Sequence, residues 1–253
     1  MRLGSDPEMF LLEKATGNVV SVCGMIGADK WNPHQYEDMP EGYTVQEDNV
    51  AVEFGVPPAS SAAEFVKHIK AVQKRFLKDH KHLTFSKLSC IMFPAEQLKH
   101  PSALIFGCEP DFNAWTGEVN PKPKAPSPLL RSAGGHIHVE TTQDPLEVIK
   151  AMDIALGIPS VLMDNGEMRK QLYGKAGAFR PKPYGCEYRT LSNFWTFEDK
   201  YIKWVWNNTG KALDLVEDHV DLNKYQDAVE QCINHNDKKL AEKLVKELGL
   251  EVV

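Results

Sequence analysis

The sequence predicts an α+β protein, a single domain built on a mixed or antiparallel sheet with helices on one face. Three observations predict it. Strand-like stretches follow one another without the regular strand–helix alternation of a parallel sheet. Helical periodicity is confined to a few segments, clearest over residues 61–76 and 144–156. Four of the strand-like stretches alternate apolar and ionic residues, so each offers one greasy and one charged face.

Read in order, residues 8–13 are extended, "ATGN" at 15–18 is a turn, and residues 19–26 return as the second arm of a hairpin. A polar loop with Trp31, Pro33 and Pro40 follows. "YTVQEDNVAVEFGVPPA" reads as one strand ending at Pro57–Pro58. Ser61 and Glu64 form a capping box that opens a helix with Phe65, Ile69, Val72 and Phe76 on one face. Residues 83–93 read as a strand. "FGCEPDFNAWTGEVNPKPKAPSP", residues 106–128, is rich in Pro, Gly and Asn and reads as a long ordered loop or lid. The strand "GHIHVE" comes next. Asp144 and Pro145 start a second helix carrying Leu146, Ile149, Met152, Asp153 and Leu156. "YGKAGAFRPKPYG", residues 173–185, reads as a basic, glycine-containing loop feeding the strand "CEYRTLSNFW". A helix is expected over 197–218, and two short amphipathic helices with Lys238, Lys239, Lys243 and Lys246 from Tyr225 onward. The expected layout is a core of residues 1–218 with a helical C-terminal appendage, 219–253.

Composition narrows the function classes. The 253 residues are 42% hydrophobic and 25% charged, an ordinary globular mix. A net charge of -6 argues against a dedicated nucleic-acid binder. The five cysteines (Cys23, Cys90, Cys108, Cys186, Cys232) are odd in number, widely spaced and without a CxxC pair. That spacing fits neither a zinc knuckle nor a disulfide framework, and points to a reducing cytoplasm. The only apolar run near the N-terminus, Met9 to Leu12, is too short for a signal peptide or a membrane span.

The chemistry sits on the charged faces. Asp6 and Glu8 share one side of "GSDPEMF". Glu53 shares its side of "DNVAVEF" with Asn49. His136, His138 and Glu140 oppose Ile137 and Val139 in "GHIHVE". Glu187 and Arg189 oppose Tyr188 in "CEYRTL". Singly, each has an ordinary reading. Glu8 and Glu53 are surface carboxylates, His136 and His138 satisfied structural histidines, Asp6 a turn former before Pro7, and Glu187–Arg189 a cross-strand pair. Arg180 and Lys182 flank prolines as solvated loop charges, and Cys186 is a half-buried structural thiol. Jointly, one ligand-bearing face on each of four strands is a poor coincidence. Carboxylates that close need a cation between them, and oxygen ligands with imidazole suit Mg²⁺ or Mn²⁺ better than zinc. Such ions serve phosphoryl transfer, in which Lys175, Arg180 and Lys182 would face phosphates and Arg189 would meet developing negative charge.

The strings "GSDPEMFL", "DNVAVEFGVPPA", "GCEPDFNAW", "RSAGGHIHVE" and "YGCEYRTLSNFW" resemble the phage-encoded carboxylate–amine ligases, small amidoligases of the glutamine synthetase-like superfamily alongside glutamate–cysteine ligase. The resemblance runs from Gly4 to about Trp195. It implies a curved, mostly antiparallel sheet whose concave face binds ATP and two or three Mg²⁺ or Mn²⁺ ions, with helices on the convex face. It also implies metal ligands at Glu8, Glu53, His136 and Glu187 with Asp6 as neighbour, and His138 nearer a nucleotide phosphate. Arg189 would support phosphate and substrate, with Arg180 and Lys182 matching more loosely. The expected activity is ATP-dependent amide formation through an acylphosphate, on small-molecule or peptide carboxylates and amines. The setting would be the host cytoplasm, without membrane or nucleic-acid partners. Arg180 and Arg189 would stabilise the transferring phosphoryl and the oxyanion, with Glu140 or Asp111 as the amine's base. Three other readings stay open: a guanidino-kinase-like phosphotransferase on the same fold, a non-catalytic metal-binding phage protein, and a metal-dependent hydrolase.

Overall fold

The computed structural model describes residues 1–104, 111–122 and 124–253. The start of the expected lid, with Cys108, and Pro123 lie outside the described residues. The strands are β1 (Arg2–Met9), β2 (Leu11–Glu13), β3 (Val19–Val20), β4 (His34–Gln35), β5 (Thr44–Asp48) and β6 (Ala51–Ala59). After the helix α1 (Ala62–Asp79) come β7 (Leu83–Phe85), β8 (Cys90–Met92), β9 (Phe112–Asn113), β10 (Leu130–Ser132) and β11 (Gly135–Glu140). Helices α2 (Pro145–Met152) and α3 (Ile158–Met163), strands β12 (Ala178–Lys182) and β13 (Gly185–Tyr188), and helices α4 (Asp199–Glu217), α5 (Gln226–Asn234) and α6 (Lys238–Leu248) complete the chain. The main sheet has eight strands in the order β4-β5-β6-β1-β11-β13-β12-β9, and its pairings are antiparallel. The protein is thus α+β with a large open antiparallel sheet.

Alternation sorts the two faces. Leu3, Val52, Phe54, Ile137, Val139, Cys186 and Tyr188 point to one side, buried against α1, α2 and α4 in one hydrophobic core. The opposite side of the same strands carries the ionic residues. Ser61 caps α1 by accepting from the Glu64 amide at 3.2 Å. Glu64 reaches back to the Ser60 amide at 2.6 Å, one residue earlier than a strict capping box. Helices α5 and α6 pack on α3, and Val229, Cys232, Ile233, Ala241 and Leu244 belong to the main core.

Several expectations need correction. "YTVQEDNVAVEFGVPPA" is a hairpin, β5 and β6, turning at Asn49–Val50 with Asn49 at φ 54°. Asparagine tolerates that left-handed backbone without a glycine to signal the turn. β6 then runs on through Pro57–Pro58, where β5 no longer pairs with it and its register against β1 slips, so the missing amides break no ladder. The basic loop is largely a strand, β12. Pro181 is tolerated because β9, on the side away from β13, pairs just with Ala178 and Phe179. Residues 83–93 split into β7 and β8 in two small sheets, and the return arm at 19–26 pairs only through β3. The second helix is interrupted. A π-turn over Asp153–Gly157 separates α2 from α3 and buries Asp153.

Candidate active site

Strand order and register bring the charged faces into one row. Across the sheet run Gln46 and Asp48 (β5), Glu53 (β6), Asp6 and Glu8 (β1), His136 and His138 (β11), Glu187 (β13), then Arg180 and Lys182 (β12). Direct partners are Gln46 with Glu53, Glu53 with Glu8, Asp6 with His136, His138 with Glu187, and Glu187 with Arg180. Neighbouring strands stand about 4.8 Å apart, so these side chains meet.

The centre of the row is compact. His136 Nδ1 lies 3.2 Å from Asp6 Oδ1 and 3.8 Å from Glu187 Oε1, while its Nε2 lies 3.8 Å from Glu8 Oε1. His138 Nε2 is also 3.2 Å from Asp6 Oδ1, and its Nδ1 is 2.6 Å from the Tyr184 hydroxyl. Glu187 is fully buried. It takes Lys182 Nζ at 2.7 Å, Arg180 at 3.7 Å and a close contact from Arg189, which also approaches Asp111 at 3.5 Å. The Gly134 amide donates to Glu8 Oε2 at 2.6 Å.

Charge is unevenly spread along this row. Burial would raise the pKa of Asp6, but His138 and His136 beside it hold it well below the usual carboxylate range. Burial and Asp6 push likewise on Glu187, yet Arg189 and the two histidines bring it down to about 2. Burial works against protonated His138, and Asp6 and Glu187 outweigh it, so its pKa is raised. At the other end, burial together with Asp48, Asp6 and Glu8 drives Glu53 well above its ordinary value. Burial and Glu8 push Asp48 up to about 7. The β5–β6–β1 half is therefore short of positive charge, whereas the β12–β13 half has it.

The donor set fits a divalent cation. Asp6 Oδ1 and His138 Nε2 are buried, adjacent and without a hydrogen-bond partner. Among the described residues, Asp6, His138 and Glu187 each offer a ligand atom within 4.8 Å of the others. This grouping takes His138, where the sequence reading put His136 on metal and His138 on phosphate. His136 instead sits among Asp6, Glu8, Glu187 and Arg189. Glu140 departs from expectation. It is half exposed at the far end of β11, ion-paired to Arg2 at 3.0 Å, so Asp111 is the candidate base that borders the row. Lys175 is exposed, and its carbonyl, not its amine, is engaged, by Thr190 Oγ1 at 3.0 Å. Trp115 and Phe112 serve packing. The Trp115 indole donates to buried Asp153 at 2.7 Å, and Phe112 packs on Phe179, so this part of the expected lid is pinned.

Sequence reasoning passed over Asp48, Arg131, Arg169 and Tyr184. Asp48 was legible in principle, because it lies two residues from Gln46 on the face that Glu53 shares once the hairpin is recognised. Arg169 carries no such signal, since it lies in a short 3₁₀ turn after α3.

No helix among the described residues is long and apolar enough to cross a membrane. No curated protein matches the chain. Residues 129–232, from the approach to β10 into α5, match the family model "Phage phiEco32-like COOH.NH2 ligase-type 2". The matched stretch holds His136, His138, Arg169, Arg180, Lys182, Glu187 and Arg189, while Asp6, Glu8, Asp48 and Glu53 precede it. It names the same phage carboxylate–amine ligase family that the sequence motifs resemble, and it supports a carboxylate–amine ligase.

Proposed function

We propose that the protein is an ATP-dependent carboxylate–amine ligase that joins an acid to an amine through an acylphosphate, with Mg²⁺ or Mn²⁺ on the ionic sheet face. The observation that carries this reading is the cross-strand row, with acidic and imidazole groups at one end and Arg180, Lys182 and Arg189 at the other. A family match to ligases covers the half of the row on β11, β12 and β13.

Bound ATP and divalent ions supply the phosphoryl group and the neutralising charge. Asp6, His138 and Glu187 would hold one ion. Glu8 and Glu53, with Asp48 beside them, would hold another on the side that lacks positive charge. Arg180 and Lys182 are placed for the polyphosphate. Arg189 would lie against the transferring phosphoryl as a carboxylate oxygen bonds to phosphorus and the bond to ADP breaks. The same guanidinium then stabilises the tetrahedral oxyanion as nitrogen bonds to carbon and phosphate departs. Asp111, beside Arg189, is placed to take the proton that the amine loses.

The test is a malachite-green phosphate screen with ATP, Mn²⁺ or Mg²⁺ and a panel of amino-acid pairs, comparing wild type with Glu187→Gln. The expected result is phosphate release that needs an added amine and that the variant lacks. Equal release by both proteins would remove Glu187 from the reaction. Nucleotide turnover without amine-dependent phosphate would instead indicate the guanidino-kinase-like reading.

A further inference from the structure

The turn between α3 and β12 holds a buried cation with no ion-paired carboxylate among the described residues. Arg169 is 2% exposed. Its Nη1 donates to the Thr190 carbonyl at 3.0 Å and its Nη2 to the Arg189 carbonyl at 3.3 Å, while its Nε has no acceptor. Among the described residues no carboxylate forms an ion pair with it. Lys170 alongside donates to the Gly174 and Thr190 carbonyls, at 2.5 and 3.0 Å. Glu8 and Asp164 act on this charge only from a distance, so burial still pulls the Arg169 pKa down; a buried guanidinium hydrogen-bonded only to carbonyls is costly, and an anion brought by a ligand reduces that cost.

The guanidinium borders a cleft that it shares with Glu8, Asp48, Asp111, His136 and Arg189. Gly134 makes the approach possible. A Cβ there would lie 2.4 Å from His136 Nε2 and 3.0 Å from Arg169 Nη2, so the bare backbone lets imidazole and guanidinium share one corner. Two of the cleft's carboxylates, Glu8 and Asp48, are on the cation-poor half of the row, and the third, Asp111, is paired with Arg189 at 3.5 Å. Three arginines line it, Arg131, Arg169 and Arg189, and the last two are joined by the hydrogen bond from the Arg169 guanidinium to the Arg189 carbonyl.

We infer that this corner binds the carboxylate of the acid substrate, with Arg169 as the recognition residue and Arg189 next to the reacting oxygen. The inference rests on the ligase reading and assigns the acid to the Arg169 end of the cleft, away from Arg180 and Lys182. A phosphoryl group offers similar oxyanion chemistry, so the experiment separates the two.

Thermal midpoints of the full chain would be measured in EDTA without nucleotide. The probes are succinate, glutarate and glutamate, their diamides, and inorganic phosphate. At about 10 mM the acids should raise the wild-type midpoint by at least about 2 °C. The diamides should not. Arg169→Gln should weaken acid binding roughly 10- to 100-fold, and Arg169→Lys should retain part of it. If the Gln variant does not fold, the acid–amide comparison and the Lys variant decide. The inference fails if diamides act like acids, if phosphate alone shifts the midpoint, if no carboxylate does, or if the variants bind acids as wild type does. Acid binding through Arg169 with no amine-dependent phosphate release would leave this site standing and refute the ligase reading. Normal release by Arg169→Gln at an unchanged KM for the acid would do the reverse.

Discussion

Asp48→Asn tests the charge imbalance directly. Asp48 closes β5 one strand from Glu53, and burial with Glu8 raises its pKa from 3.8 to about 7. A folded-state pKa above the unfolded one means that folding takes up a proton. The contribution to stability is complete below about pH 4 and is lost as pH rises through about 7. Three pH units correspond to about 4 kcal/mol. Asp48 borders an open cleft, and solvent screening brings a realistic figure to about 2 kcal/mol. Asparagine removes this loss. In EDTA at pH 8 the variant should therefore be more stable than wild type by about 2 kcal/mol, or roughly 4–8 °C in Tm. The advantage should shrink as pH falls from 7 toward 4. Millimolar Mn²⁺ should reverse the order, because wild type gains a cation held by one more carboxylate. Urea titration at several pH values, with and without Mn²⁺, reads all three effects. A variant less stable than wild type at pH 8 in EDTA, or an unchanged pH profile, would refute the crowding argument.

Two further substitutions probe the scaffold behind the site. Asp153 accepts hydrogen bonds from Trp115 Nε1 (2.7 Å), Gly177 N (2.5 Å), Tyr188 OH (2.8 Å) and Thr190 Oγ1 (3.1 Å). Asp153→Ala strands these donors and should cost about 3–5 kcal/mol in denaturant unfolding; a loss under about 1 kcal/mol would show that water replaces the carboxylate. Gly174 has φ 70°, and a Cβ there would collide with the Arg169 guanidinium and lie 2.6 Å from the Thr190 carbonyl oxygen. Gly174→Ala should lower stability by at least about 2 kcal/mol and weaken acid binding as Arg169→Gln does; a neutral effect on both would show that the turn can move aside.

The site was legible in the sequence where alternation governs it. His136 and His138 with Ile137 and Val139 between them announce a strand with a ligand face, and Asp6–Glu8, Glu53 and Glu187 read the same way. Antiparallel pairing then had only to set them side by side. Legibility failed where a turn used unexpected chemistry. Asn49 hid a hairpin, and with it Asp48. Pro181 disguised strand β12, which set Arg180 and Lys182 beside Glu187. It failed again where a residue's importance comes from what it lacks. Arg169 stands out because no described carboxylate is ion-paired with it, which depends on neighbours distant in sequence. Glu140 erred the other way. It shares its face with His136 and His138, but two residues past His138 the row has ended and Arg2 claims it.

The gradient along the row bears on which chemistry the site suits. A hydrolase that needs only a metal-activated water has no use for Arg180, Lys182 and Arg189 gathered on one carboxylate, Glu187. That carboxylate has three cations around two oxygens, while at the other end neither Glu53 nor Asp48 is ion-paired with a cation among the described residues. A ligand carrying both signs, a polyphosphate with its cations, would relieve both ends at once. Its anionic part would compete with Glu187 for the arginines and the lysine, and its cations would fill the acidic half. Cation and nucleotide should therefore bind with positive coupling. ATP titrated with and without Mn²⁺ measures it, and equal ATP affinity in both would mean that the two ends of the row act independently.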